Sequence, residues 1–279
     1  MATTDSDLFS QPSNHQTTNT HSEKPHTALW RWSVLAYGIT SYVVFFATFL
    51  YAIGFMGGFI VPTTLSMGAP STITAAMINI TLLAAFAIQH SVMARPAFKR
   101  IWTRVIPQAA ERSTYVLFSS IALIALFACW QPMGETLWAL QSPLSVALMH
   151  IGFAFGWVLV FASTCLINHF DLFGLRQVWL AFCDRPYVDL AFVTPWPYRV
   201  IRHPLYLGWL FAMWCTPFMT ISHFLFAALG SAYIFVGIAL EERDLVEAHP
   251  DYADYASKVP MIFPRLLRHI TPTKLGQVH

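Results

Sequence analysis

Three clusters of polar residues stand out against an otherwise apolar chain, and each has residue types and a spacing that suit chemistry. The first is Asn168-His169-Phe170-Asp171-Leu172-Phe173-Gly174-Leu175-Arg176-Gln177. It holds a base, an acid, a cation and an amide, separated by aromatics, which suits a partly desolvated pocket. The plainer alternative is a membrane boundary where Arg176 snorkels and Asp171 caps a turn. The second is Arg202-His203-Pro204-Leu205-Tyr206-Leu207-Gly208. Pro204 pre-sets a first helical turn. Arg202 and His203 then flank a helix N-terminus, where backbone N–H groups and the dipole favour an anion such as a carboxylate. Arg202 alone would read as a positive anchor; the ordered string is more specific. The third is Glu241-Glu242-Arg243-Asp244-Leu245, followed by Tyr252 and Tyr255. Paired carboxylates suit an amine or ribose hydroxyls, and tyrosines suit a flat heterocycle. A solvated acidic helix end and interfacial aromatics would look the same. Glu opposes the dipole at a helix C-terminus, so that helix is expected to run on to about His249, before Pro250. His90, in Gln89-His90-Ser91, either joins the pocket or is a satisfied structural histidine.

A metal or haem role for these histidines is not expected. His150 and His169 are both on one presumed helix, about 28 Å apart at 1.5 Å per residue, so they lie at opposite faces of a membrane. The cysteines Cys129, Cys165, Cys183 and Cys215 form no CxxC pair and read as small buried hydrophobes.

The elements that must position these clusters are membrane helices. The 279 residues are 56% hydrophobic and 11% charged, with a mean hydropathy of +0.52. Soluble domains carry about 25% charged residues, so lipid has to cover the surface. The net charge of +2 leaves no basic excess for nucleic acid. Crossing a bilayer takes about 20 mostly apolar residues. Runs 32–55, 73–93, 114–130 and 144–167 qualify. Region 205–240 is too long for one ordinary span and is interrupted at Thr216–Pro217 and around Thr220, Ser222 and His223. It reads as a tight hairpin of two shorter helices, which favours six spans over five. The expected fold is an all-α polytopic transmembrane bundle.

Loops 57–71 and 131–143 carry only Glu135, whereas 94–113, 169–203 and the C-terminal tail carry the Lys and Arg. Both termini are therefore expected in the cytoplasm. Residues 1–29 read as a polar disordered tail without a signal-peptide core, and 30–279 as one transmembrane domain. Ionisable groups at one boundary and few at mid-span favour an enzyme over a transporter. A non-enzymatic transporter or cofactor-binding subunit is the reading of another class.

In this order, Arg202-His203-Pro204, Tyr206, Gly208, Glu241-Glu242, Leu245, Tyr252, Tyr255 and Val259-Pro260 resemble the isoprenylcysteine carboxyl methyltransferase-like membrane methyltransferases. That covers the C-terminal quarter. Residues 168–177, with Gln89-His90-Ser91 and Ala94-Arg95, look like the bacterial methanethiol S-methyltransferases, which extends the resemblance over most of the chain. The resemblance implies an integral protein of the bacterial inner membrane, in contact with membrane lipid. It implies S-adenosyl-L-methionine as methyl donor, S-adenosyl-L-homocysteine as product, and a small volatile thiol as acceptor. It places the cofactor at His203, Pro204, Tyr206, Gly208, Glu241, Glu242, Tyr252 and Tyr255, within about residues 196–265. A prenylcysteine carboxylate, a phospholipid amine or a larger thiol remain alternative acceptors.

The nucleophile for such a transfer is a thiolate. A simple alkyl thiol titrating near roughly 10 costs about 4 kcal/mol to ionise at neutral pH. His169, oriented by Asp171, is the candidate base. Arg202 or Arg176 could stabilise the thiolate instead. His90, Arg176 and Gln177 are the candidate substrate contacts.

Overall fold

The computed structural model describes residues 27–68, 71–188, 190, 195–248 and 252–263. Most of the polar tail expected at 1–29, and positions 249–251 and 264–265 of the expected cofactor-binding part, lie outside the described residues.

Five helices are long and apolar enough to span a membrane: α1 (Ala28–Gly57), α2 (Ile73–Ala94), α4 (Gln108–Cys129), α5 (Pro143–Ile167) and α10 (Ile221–Ala248). Short helices gather at the charged end: α3 (Pro96–Trp102), α6 (His169–Leu172), α7 (Leu175–Phe182), α8 (Trp196–Val200) and α11 (Tyr252–Lys258). Local sequence sets the boundaries. Thr27 and Thr72 cap α1 and α2 through their hydroxyls, and Gly58, at φ +74°, ends α1 with its N–H on the Gly54 carbonyl at 2.9 Å. Proline opens α3, α5 and α8. Helix α10 runs past Glu241 and Glu242 to Ala248, and its expected end near His249 lies outside the described residues.

The expected hairpin is present, with unequal arms. Helix α9 (Pro204–Trp214) has 11 residues, and the chain completes its crossing in extended form to β2 (Phe218–Thr220). That strand pairs antiparallel with β1 (Thr136–Ala139) at the uncharged end. The small sheet has a purpose in an otherwise helical chain. Carbonyls of Glu135 and Met133 accept from Ile221 N–H (2.8 Å) and Ser222 N–H (3.2 Å), which satisfies the first turn of α10. The break is local chemistry: Pro217 has no N–H for the Met213 carbonyl, and the fully buried His223 Nε2–H takes it at 2.9 Å. The chain thus runs along the bundle six times, five of them as helices long enough to span a membrane, and the first turn of α1 and last turn of α10 share the charged end.

A short α9 needs close support, and glycines supply it. A Cβ on Gly208 would sit 2.7 Å from the Gly156 carbonyl oxygen of α5, and one on Gly156 would sit 2.6 Å from Ala212 N. Small residues allow such backbone contact between membrane helices. The cysteines depart from expectation: Cys129 and Cys165 are exposed and the other two half-buried. In a membrane, outward positions face lipid, so a cysteine gains nothing there by being buried.

Candidate active site

A cavity of about 1180 Å³ runs inside the bundle and reaches the charged end at Arg112, Arg202 and Glu241. Its polar lining falls into three groups, each held by different elements.

The first joins the N-terminus of α9 to the last turns of α10 and to α11. Arg202 Nε donates to Glu242 Oε1 at 2.7 Å, and His203 Nε2 lies 2.8 Å from the same oxygen. Arg202 Nη1 also donates to the Ala256 and Val259 carbonyls at 2.6 and 2.7 Å. The backbone N–H groups of Arg202 and His203 bond Pro260 and Met261 carbonyls at 2.9 and 3.1 Å. The segment after α10 is therefore strapped across the mouth of α9. Arg202 is only 10% exposed and His203 5%. Tyr206 donates to Glu241 Oε2 at 2.8 Å, and both line the cavity together with Tyr198, Tyr252 and Tyr255. Burial, reinforced by Glu242, pushes the Tyr252 and Tyr255 phenols upward, so they remain neutral donors. Glu242, Pro204 and Gly208 stand behind the lining. Pro204 starts the helix, Gly208 packs it on α5, and Glu242 anchors Arg202 and His203.

The second group is the turn after α5. Asn168, at φ 128°, breaks the helix, and its side chain caps α6 by accepting from Asp171 N–H at 3.3 Å. Gly174, at φ +86°, lies so close to Ser113 that a Cβ would be 2.6 Å from Ser113 N; only glycine closes this turn without strain. Asp171 accepts from Arg176 at 2.8 Å and, at its oxygens, from Gln177 and Tyr187. The expected orientation of His169 by Asp171 is replaced by another. His169 Nδ1 lies 2.9 Å from the Thr164 hydroxyl and Nε2 lies 2.8 Å from the Tyr42 hydroxyl. Thr164 donates its one proton to the Phe161 carbonyl at 2.7 Å. It must then accept from His169 Nδ1–H. In the neutral ring, Nε2 accepts from Tyr42. This tautomer follows from the donor count. Burial lowers the His169 pKa below its usual value, which keeps the ring neutral. His169 and Asp171 line the cavity, whereas Arg176 and Gln177 do not and instead hold Asp171. Asn168 and His169 also wall a second, lateral pocket of about 590 Å³ beside Tyr42 and Cys165.

The third group faces in from α2 and α4. The His90 ring meets Tyr115 through Nε2 at 2.8 Å and Ser119 through Nδ1 at 3.1 Å, and Arg112 lies at the same lining. The sequence alone singled out His90 but not Tyr42, Thr164, Tyr115 or Ser119. Lone hydroxyls in apolar spans carry no pattern, and only the fold turns them inward.

This lining can do acid–base work, hold a cation at Glu241 and an anion at Arg202 and His203, and stack an aromatic ring on tyrosine. Fold and site together define a polytopic helical membrane enzyme. The methanethiol S-methyltransferase of Crocosphaera subtropica is 50% identical over 238 residues, 85% of this chain and 93% of that protein. The methanethiol S-methyltransferase of Mycobacterium tuberculosis is 46% identical over 241 residues, 86% and 99% of the two chains. Nurim of Xenopus laevis is 31% identical over 179 residues, 60% of this chain and 61% of its own. No protein-family model and no solved structure matches the chain. The chain belongs to the methanethiol S-methyltransferase family, as the resemblance in its sequence implied.

Proposed function

We propose that this protein methylates methanethiol to dimethyl sulfide, with S-adenosyl-L-methionine as donor, at the cytoplasmic boundary of a bacterial inner membrane. The observation that carries this reading is one cavity joining the Arg202–His203–Glu241–tyrosine cluster to His169. That donor set fits the cofactor: Glu241 suits its amine or ribose hydroxyls, Arg202 and His203 at the start of α9 suit its carboxylate, and Tyr252 and Tyr255 suit its adenine. Glu242, Pro204, Tyr206 and Gly208 hold these groups in place. Bound there, the cofactor supplies an electrophilic methyl group on a sulfonium.

The chain's own residues do the rest. The neutral His169 ring, with Tyr42 on Nε2 and Thr164 on Nδ1, takes up the thiol proton, either directly or through the Tyr42 hydroxyl. The apolar walls exclude water while thiolate and sulfonium charges annihilate. His90 with Tyr115 and Ser119 bounds the acceptor from the opposite wall. A small apolar thiol reaches His169 through the bilayer, and the lateral pocket beside Tyr42 offers the approach. The concentration of Lys and Arg at the site end supports a cytoplasmic placement of that end and of both termini. Residues 30–279 then form one methyltransferase domain behind a polar tail.

Headspace gas chromatography tests this directly. Membranes containing the protein, given methanethiol and S-adenosyl-L-methionine, should release dimethyl sulfide in a cofactor-dependent way, and His203→Ala should abolish it. Bound S-adenosyl-L-homocysteine without dimethyl sulfide would move the acceptor elsewhere. Neither product nor binding would defeat the reading.

A further inference from the structure

The cavity is longer than methanethiol requires. Its lining runs from Arg112 to Leu126 on α4 and from Leu245 to Phe226 on α10, about 21 and about 28 Å along the helices at 1.5 Å per residue. Polar residues occupy only the part nearest the charged end. Beyond His90 and Tyr115 the walls are Phe49, Ala52, Leu83, Leu126, Phe226 and Gly230. The two hydroxyls in the same stretch, on Thr48 and Ser120, donate to the Val44 and Val116 carbonyls of their own helices at 2.7 and 2.8 Å. Both hydroxyls are thereby taken up within their own helices. Pockets for drug-sized ligands measure about 300–1,000 Å³. The volume of about 1180 Å³ exceeds that range, and methanethiol adds only two heavy atoms to the donor.

We propose that the apolar extension receives the alkyl chain of longer unbranched thiols, making linear alkanethiols the acceptor class. The inference rests on the thiol-methylation reading. The sulfur stays beside His169 and the chain runs between α1, α2, α4 and α10 toward Phe226. The thiol sulfur gains the methyl group and loses its proton, leaving an alkyl methyl sulfide and S-adenosyl-L-homocysteine. Each methylene buried from water then raises kcat/KM about fourfold, with the thiol referred to its aqueous activity so that partition into lipid cancels.

The test uses the full chain in lipid nanodiscs with saturating S-adenosyl-L-methionine and n-alkanethiols from methanethiol to octanethiol, each held at a fixed aqueous activity. A rise of about fourfold per methylene through at least butanethiol is expected. Ala84→Phe and Gly230→Leu narrow the extension from α2 and α10. Each should lower kcat/KM for hexanethiol at least about tenfold, the loss of two or more methylene contacts, and leave methanethiol turnover unchanged. A Cβ at Gly230 meets only the end of the movable Met213 side chain, Sδ at 2.7 Å and Cε at 3.6 Å. Independently of turnover, hexyl methyl sulfide should raise the Tm of the native protein more than dimethyl sulfide does, and Gly230→Leu should erase that difference. Methanethiol turnover combined with falling kcat/KM beyond ethanethiol, the result expected if a lipid tail fills the extension, would overturn the inference and leave the proposed function standing. Failure to methylate any thiol would overturn the proposed function and this inference with it.

Discussion

The two ends of the polar lining are built on different principles. Around Glu242, bonds join residues far apart in sequence: Arg202 to Glu242, Arg202 to Ala256 and Val259, His203 to Met261. Around His169 the partners are mostly local, with Thr164 five residues back and Asp171 held by residues five and six further on; Tyr42 and Tyr187 reach in from farther along the chain. The first region is a latch whose charges are paired almost out of water. The second is a preformed turn whose imidazole stays neutral and half-buried. A latch suits holding a large polar cofactor, and a neutral imidazole on a rigid turn suits moving a proton.

Breaking the latch should have the largest effect. Glu242→Ala leaves Arg202 nearly buried without its carboxylate, which costs about 3 kcal/mol. Calorimetry should show S-adenosyl-L-homocysteine affinity reduced at least about a hundredfold by that loss, and Tyr252–Tyr255 should become open to chymotrypsin. Unchanged affinity would take the latch away from the cofactor. Next, His169→Ala should lower kcat about 100- to 1,000-fold with S-adenosyl-L-homocysteine affinity within about threefold, under 1 kcal/mol. Equal losses in both would merge the two regions into one binding site.

The comparison sharpens with Tyr42→Phe. It removes the donor on His169 Nε2 and should cost about tenfold in kcat, in line with one hydrogen bond to the ring, without altering cofactor affinity. A pH profile gives a subtler check. Burial disfavours the His169 imidazolium, so the neutral base persists to lower pH and the acid limb of kcat/KM should lie below about 6.5. A limb above that value would assign it to another group. Smallest of all, Asp171→Asn weakens a partly exposed pair with Arg176 and should cost about 1 kcal/mol or less, read as a fall in Tm with kcat nearly unchanged. A large kcat loss would restore Asp171 as a direct partner of the chemistry.

Much of this architecture was legible without coordinates. Apolar run length marked four of the five long helices, Pro204 marked the start of α9, and the Pro217 break marked the hairpin, because backbone hydrogen bonding in lipid leaves few choices; the second arm, expected as a shorter helix, is the full-length α10. The sequence could not divide the hairpin into an 11-residue arm and a 28-residue arm, since that depends on β2 finding β1 across the bundle. It also could not tell Glu241, which lines the cavity, from Glu242, which anchors the latch, because the two are adjacent and chemically identical. Gly208 looked like part of a binding string and proved to be the contact point with Gly156.

The sequence by itself determined the membrane class, the charged end and where the polar clusters lie along the chain, because hydropathy and charge are summed along the chain and need no partner. Only the tertiary structure decided which polar atoms face one cavity, how Tyr42 and Thr164 fix the His169 tautomer, and how far the apolar extension reaches. Those are distances between residues on different helices, and packing sets them.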